Sequence, residues 1–319
     1  MKKRPKCIIQ IPCYNEETTL PMVLGTIPRQ IKGVKSVEIM IIDDGSSDRT
    51  VEVAGELGVD HIIQHKQNKG LATTFAEGIR AALELGADII VNTDGDNQYP
   101  QERIPDLIQP IMDGSHDIVV ADRQTGKIDE FGPLKKFLQK TGSWVVNKAA
   151  GTKIPDAASG FRAYSRDAAF KMNVVTDFSY CTETIVYAGR KNIPITSVAV
   201  TTNAKTRESR LFKNIWQHVF KSASAIIRSY AMHRAYSVFL RLGALLAILG
   251  VLPFIRYIVL IIIEGGLVSG HLQSLIGGGV LLLVGFLLIV VGILADLIAV
   301  NRTLHEESLE HLRRMRYQK

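Results

Sequence analysis

A chain of 319 residues, 46% of them hydrophobic, can bury a substantial core in one large or two modest domains. The net charge of +7 does not point to nucleic acid, because Lys and Arg gather in Lys205–Arg241 and Arg302–Lys319, flanking a long apolar stretch in a way that suits anionic lipid headgroups. Three cysteines, Cys7, Cys13 and Cys181, have neither the number nor the spacing of a disulfide framework or zinc site, so a reducing compartment is expected.

The basic start Met1–Lys6 leads into Cys7–Ile11, a short buried-strand pattern cut off by Pro12 and too brief for a signal peptide, so none is expected. A helix start follows over Glu16–Leu24. Val37–Ile42 is a second apolar strand, running into Asp43-Asp44-Gly45-Ser46-Ser47-Asp48, where Ser46 or Ser47 is expected to cap a helix over Arg49–Leu57. His61–Gln64 reads as a third strand, Gly70–Leu85 as a helix, and Ala87–Asn92 as a fourth strand ending in Thr93-Asp94-Gly95-Asp96. Asp117–Ala121 is a further strand and Leu134–Ala150 a helix. Glu183 and Thr184 fall on another helix, and Ile193–Thr201 is a last strand before the basic segment. This rhythm predicts an α/β fold with a mostly parallel sheet, helices on both faces and ligands at the carboxyl ends of the strands.

Beyond about Arg234 the composition changes. Leu272–Ala295 holds no charged residue over 24 positions, enough to cross a ~30 Å hydrocarbon core as a helix. Val238–Ile263 is as apolar except for Arg241 and Arg256, which lie roughly 22 Å apart along a helix and can snorkel to opposite interfaces. The connection Glu264–His271 lacks Lys and Arg while both outer flanks are rich in them, so a two-span cell-membrane protein with both termini and the first domain in the cytosol is expected. Arg241 and Asp296, at comparable depths, are expected either to pair or each to reach headgroup water. Leu211–Met232 carries Leu211, Ile215, Val219, Ile226 and Tyr230 near helical spacing with Lys213, Lys221 and Arg228 between them; this is an interfacial amphipathic helix, a helix packed on the first domain, or both. The expected organisation is a domain over 1–208, the amphipathic helix over 209–234, a hairpin over 235–301 with spans at about 237–263 and 273–299, and a basic tail over 302–319.

Asp94-Gly95-Asp96 puts two carboxylates where they can face one divalent cation. The glycine lets the backbone approach a diphosphate, and Gln98 is placed to add a neutral oxygen. The same spacing also occurs in ordinary turns. Asp43-Asp44-Gly45-Ser46 is an Asx-turn and helix cap, yet one of its carboxylates can also bond a ribose or base edge. Both acidic turns end parallel strands, so they share an edge of the sheet and one crevice.

The runs Ile11-Pro12-Cys13-Tyr14-Asn15-Glu16-Glu17, Asp43–Thr50, Asn68-Lys69-Gly70, Asp94-Gly95-Asp96-Asn97-Gln98 and Ser159-Gly160-Phe161-Arg162 occur in the order seen in family 2 glycosyltransferases. Within that family the chain resembles the polyprenyl-phosphate branch, similar to dolichyl-phosphate mannose synthases and bacterial relatives with a C-terminal hairpin. The resemblance implies a GT-A fold and inverting transfer of one sugar from a nucleotide sugar, of the UDP-glucose or GDP-mannose class, to a dolichyl or undecaprenyl phosphate. It implies that Pro12, Tyr14, Glu16, Asp43 or Asp44, Lys69, Asp94 and Gly95 hold the donor, and that Asp94, Asp96 and Gln98 hold Mg2+ or Mn2+. Arg123, Arg207 and Arg210, with Asp96, would serve catalysis by charge. Lys136, Ser159, Gly160, Arg162 and Lys205 would meet the acceptor, Ser159–Arg162 being equally readable as a structural turn. An acceptor phosphate needs positive charge more than a base, although Asp156 or Glu183 is available as one. Lys135, Lys136 and Lys140 stand where the mannose synthases carry arginine, giving charge without bidentate geometry. Gln-x-x-Arg-Trp and a multispan channel, which processive polysaccharide synthases need, are missing. A different lipid acceptor such as diacylglycerol, a non-catalytic membrane scaffold and a homo-oligomer all remain compatible with the sequence.

Overall fold

Strand β1 (Lys6–Cys13) is buried from Cys7 to its end. Alternate side chains enter opposite cores: Ile8 joins Met40 and Ile42 on one face, and Cys7, Ile9, Ile11 and Cys13 join Ile39 and Ile41 on the other. Burial on both faces is why these strands read as continuous apolar runs. The computed structural model describes residues 4–127, 132–172, 180–203, 215–264 and 270–317.

After β1 come α1 (Leu20–Thr26), β2 (Ser36–Asp43), α2 (Thr50–Glu56), β3 (His61–Gln64), α3 (Leu71–Glu84), β4 (Ile89–Asn92), α4 (Ile104–Met112), β5 (Ile118–Asp122) and α5 (Pro133–Ala150). Then follow β6 (Arg162–Ser165), α6 (Arg166–Lys171), α7 (Tyr180–Arg190), β7 (Ile195–Ala199), α8 (Ile215–Glu264) and α9 (Leu272–Tyr317). The strands form one sheet in the order β3-β2-β1-β4-β6-β5-β7. Neighbours are parallel except β6, which runs antiparallel to both β4 and β5.

Strand β6 was not legible in the sequence, where Ser159–Arg162 reads as a loop. Its four residues offer too short an alternation, and only insertion between β4 and β5 makes Arg-Ala-Tyr-Ser a strand. The expected cap on α2 also differs. Ser46 and Ser47 bond to Asn15 instead, through Asn15 N to Ser46 Oγ and Ser47 N to Asn15 Oδ1, each 2.8 Å, while Asp48 accepts from Thr50 N at 3.0 Å.

By its internal contacts the chain divides into one unit of residues 1–226 with 309–319 and a second of residues 227–308. The last turns of α9 therefore belong with the first unit rather than to a separate tail. There Arg313 donates to the carbonyl of Met172 at 2.5 Å, Arg314 pairs with Asp167, and the Tyr317 ring stacks on Phe170 with centroids 6.5 Å apart. Helix α8 is continuous from Ile215, so no break separates the expected amphipathic segment from the first span.

In the second unit, Tyr236–Glu264 and the helix beginning at Leu272 are long and apolar enough to cross a membrane, with mean hydropathies of 2.6 and 2.9. They pack through glycines seven residues apart. A Cβ on Gly285 would lie 2.8 Å from the carbonyl oxygen of Gly243, and one on Gly278 would lie 2.8 Å from that of Gly250. Backbone-to-backbone contact of this kind needs small residues, since apolar side chains gain nothing by leaving lipid. Among the described residues no ion pair joins Arg241 to Asp296, and both are exposed. Gly285→Leu should force the two helices apart and cost about 1–3 kcal/mol. Thermal unfolding of the detergent-solubilised protein, followed by near-UV circular dichroism, should show a lowered midpoint.

Candidate active site

Four non-helical residues with positive φ mark one edge of the sheet. Asn15 (φ 56°) follows β1, Gly45 (φ 76°) follows β2, Asn97 (φ 58°) lies in the turn after β4, and Gln124 (φ 49°) follows β5. Left-handed backbone costs non-glycine residues energy, and Asn is among the residues that tolerate it best. Gly45 is obligatory for a second reason, since a Cβ there would lie 2.8 Å from the backbone of Gln67. These turns carry the acidic pairs.

Asp43 and Asp44 separate in role. Asp44 accepts from Lys69 N at 2.8 Å, Gly70 N at 2.9 Å and His65 Nδ1 at 2.8 Å, so it is fully committed to holding the loop that starts α3. Asp43 receives Ser46 N on Oδ2, while its Oδ1 is buried without a hydrogen-bond partner. A buried, unpartnered carboxylate oxygen is costly and marks Asp43 as the member with capacity for a ligand donor. His65 extends the network, its Nε2 lying 2.5 Å from Glu77 Oε2, and Lys69 Nζ reaches Glu77 Oε1 at 3.0 Å. Burial opposes the Glu77 charge, but bonds from Lys69 and His65 outweigh it and hold the carboxyl below its ordinary range.

Asp94, Asp96 and Gln98 lie half-buried in the turn after β4, where Asp96 Oδ1 accepts from Gln98 N at 3.1 Å. The turn rests on a chain of buried amides. Gln10 Nε2 donates to Asn92 Oδ1 at 2.8 Å, and Asn92 Nδ2 donates to the carbonyl of Gly160 at 2.8 Å and to Tyr180 Oη at 3.0 Å. Phe75 stacks on Tyr180 with centroids 4.1 Å apart, fixing that ring. Gly160 N donates to Tyr99 Oη at 2.8 Å. A Cβ on Gly160 would lie 2.8 Å from Tyr180 Oη and 3.0 Å from Asp94 Oδ2, so the glycine keeps the space beside this carboxylate clear. Gly95 does the same beside Glu16 and Cys13, each 3.2 Å from where its Cβ would be. Buried Thr93 Oγ1, Asn97 Oδ1 and Ser159 Oγ have no hydrogen-bond partner, so the surroundings are rich in unspent polar capacity. Two hard carboxylates, a neutral amide and open backbone fit a divalent cation whose shell is completed by an outside group. Among the described residues no three His, Cys, Asp or Glu side chains gather as an all-protein metal cage.

The cations fall into two kinds. Arg123 makes a bidentate pair with Asp156 through Nε at 2.6 Å and Nη2 at 2.9 Å. Burial works against its charge, yet Tyr99 and Asp156 outweigh this and keep it protonated. With both oxygens engaged by Arg123, Asp156 acts as a positioning carboxylate. Arg162 is wholly buried, donating to Ser159 O at 2.7 Å, Ala157 O at 2.9 Å, Cys181 O at 2.8 Å and Thr184 Oγ1 at 2.6 Å. It therefore braces the 157–159 loop from inside, in place of the acceptor contact the sequence suggested. Lys136 Nζ donates to Gly126 O at 3.0 Å. Pro12 is buried at the end of β1, Tyr14 is 42% exposed at the rim, and Glu16 is buried, accepting from Thr19 Oγ1 at 2.6 Å. Lys205, Arg207 and Arg210 lie outside the described residues. The chain just before them is pinned to the acidic turn: Asn203 N donates to Gln98 O at 3.0 Å and its Nδ2 to Asn97 O at 3.1 Å.

The glycosyl transferase family 2 profile matches residues 8–171, half of the chain and every strand that ends in an acidic turn. The chain belongs to this family. The transferase is 30% identical over 216 residues to the UDP-N-acetylglucosamine–dolichyl-phosphate N-acetylglucosaminyltransferase of Methanococcus voltae, covering 60% of this chain and 83% of that one. It is 34% identical to the dolichol-phosphate mannosyltransferase of Pyrococcus furiosus, over 51% of this chain and 47% of the relative. Among solved structures it shares its fold with glucosyl-3-phosphoglycerate synthase of Mycobacterium tuberculosis, crystallised with Mn2+ and UDP, at a TM-score of 0.53, 18% identity, and coverage of 71% of this chain and 79% of that one. The fold is thus GT-A-like.

The sequence did not single out His65, Asn92, Tyr99 or Tyr180. Each acts through contacts more than ten residues away along the chain, and none stands in a recognisable motif. Cys13 was read only as one of three cysteines outside any disulfide or zinc pattern: burial first, then the Glu16, Asp43 and Asp94 carboxylates, push its thiol well up, so it stays neutral in the folded transferase. Gly160→Ala should leave the fold intact and reduce turnover at least tenfold, because the methyl must displace either Asp94 or the Tyr180 ring that Phe75 pins. Circular dichroism and sugar transfer measured on the same preparation check this.

Proposed function

We propose that the transferase moves one sugar from a nucleoside-diphosphate sugar to a polyprenyl phosphate at the cytosolic membrane face, with inversion at the anomeric carbon. The observation that carries the reading is the clearance beside Asp94, which Gly160 leaves by having no side chain, together with the buried polar atoms of Thr93, Asn97 and Ser159 that have no hydrogen-bond partner. Dolichyl or dolichol phosphate stands in the names of two of the relatives, and the chain has two helices apolar enough to enter the membrane that holds such lipids.

Asp43 Oδ1 accepts a hydrogen bond from the nucleoside, Tyr14 lies along its rim, and Asp44, Lys69 and Gly70 hold the wall behind it. Asp94, Asp96 and Gln98 hold Mg2+ or Mn2+, which when bound neutralises the departing diphosphate. The acceptor phosphate oxygen attacks the anomeric carbon as the bond to the diphosphate oxygen breaks, releasing the nucleoside diphosphate. Phosphate oxygen is already ionised at neutral pH, so charge and alignment suffice and no general base is required. Arg123, aligned by Asp156, faces the diphosphate. Lys205, Arg207 and Arg210, following the pinned Asn203, supply charge to the acceptor phosphate, with Ser159 and Gly160 shaping the loop beside it. The lack of Lys and Arg in 264–271, against basic outer flanks, orients both chain ends to the cytosol.

Incubation with a short polyprenyl phosphate and a panel of UDP- and GDP-sugars should yield glycolipid from one donor, lost with EDTA and restored by Mn2+ or Mg2+. Asp96→Ala should lower turnover by on the order of 10²–10³-fold, the scale of losing one preorganised electrostatic contact, with membrane insertion unchanged. Product with diacylglycerol and none with polyprenyl phosphate would overturn the acceptor; EDTA-resistant turnover would overturn the metal.

A further inference from the structure

His65, directly after β3, is buried and holds both members of the Asp43-Asp44 pair. Its N–H donates to the carbonyl of Asp43 at 2.9 Å, and its Nδ1 lies 2.8 Å from Asp44 Oδ1. Nε2 faces the other way, 2.5 Å from Glu77 Oε2 on α3, so the ring spans two carboxylates carried by different elements. Burial opposes ionisation of Glu77, and the bonds from Lys69 and His65 overcome it. Ionised carboxylates only accept, so both are met by a ring that donates at each end. The loop from His65 to Gly70 runs between these anchors and against the acidic turn. Asp44 receives the amides of Lys69 and Gly70, and a Cβ on Gly45 would lie 2.8 Å from the backbone of Gln67 and 2.9 Å from that of Asn68. Residues 66–69 are exposed, so packing does little to fix them and the bonds to Asp44 and Glu77 set their course.

We propose that His65 is a positioning residue for the nucleotide-sugar donor: by bridging Asp44 to Glu77 it sets the loop that carries Lys69 and holds Asp43 in place for the nucleoside. The inference rests on the donor site proposed above. Glu77 also takes Lys69 Nζ at 3.0 Å, so one carboxylate fixes the ring behind the loop and the ammonium in front of it. Among the described residues the bonds of His65 go to Asp43, Asp44 and Glu77, and none goes to the turn after β4 that carries Asp94. His65 therefore acts on donor affinity and leaves the transfer step alone. Removing the ring takes a donor from two carboxylates at once, one of them buried, and frees the base of the loop from α3.

The full chain in detergent is compared with His65→Gln and Glu77→Ala by amide hydrogen exchange and by titration with UDP and with GDP in the presence of Mn2+. The amides of Lys69 and Gly70 should exchange about tenfold faster in both variants, and whichever nucleotide the wild type binds should bind about tenfold more weakly, the scale of one lost hydrogen bond to a charged group. Glu77 is a partly exposed helix position, so Glu77→Ala carries the test where His65→Gln does not fold. The double variant should bind no more weakly than the weaker single one; additive losses trace the Glu77 effect to Lys69 and overturn the bridge. Turnover at saturating donor should stay within about twofold of wild type, the loss appearing in donor KM. Unchanged exchange at Lys69 and Gly70 overturns the bridge, and faster exchange with unchanged nucleotide affinity overturns its role toward the donor. Exchange is read without nucleotide, so a wild type that binds neither UDP nor GDP counts against the donor site and leaves the bridge to be judged by exchange.

Discussion

The side-chain amide of Asn92 holds the active site together. It receives Gln10 from β1 and gives its own protons to Gly160 and Tyr180, joining three parts of the chain separated by some seventy to ninety positions. An amide buried this deeply must find partners or lose about 1–3 kcal/mol per unsatisfied group, so the three elements cannot drift apart cheaply. The Asp94 turn follows directly from this residue, which makes the position of the acidic turn a consequence of the β-sheet core.

Around that anchor, acidic residues divide the labour. Asp44 and Asp156 saturate their oxygens on neighbouring protein groups, whereas Asp43 keeps one oxygen buried and unmet. Members of one acidic pair thus differ in hydrogen bonding although they are identical in chemistry. The arginines show the same division. Arg123 is matched by a carboxylate at the rim of the site, and Arg162 is sunk among carbonyl and hydroxyl oxygens where it stiffens the loop between them. Guanidinium suits both tasks because its five donors can be satisfied in one plane.

The apolar unit relies on a different force. Helices in lipid gain little by burying leucine, so close approach at Gly243, Gly250, Gly278 and Gly285 supplies packing through backbone contact. At the far end of the same second helix the chemistry reverses: Arg313, Arg314 and Tyr317 make carbonyl, carboxylate and ring contacts with α6 and the residue after it in the first unit.

Local pattern alone determined the strand and helix rhythm, the two apolar spans and the acidic turns at strand ends, because buried parallel strands leave unbroken apolar runs and turns leave Asp, Asn and Gly. Tertiary structure decided what period and motif cannot express. It placed β6 antiparallel in the middle of the sheet, saturated Asp44 while leaving one oxygen of Asp43 unmet, turned Arg162 inward, and set His65, Tyr99 and Tyr180 around the site. Each of these depends on a hydrogen bond or contact between residues distant along the chain, and such pairings exist only once the sheet has brought them together.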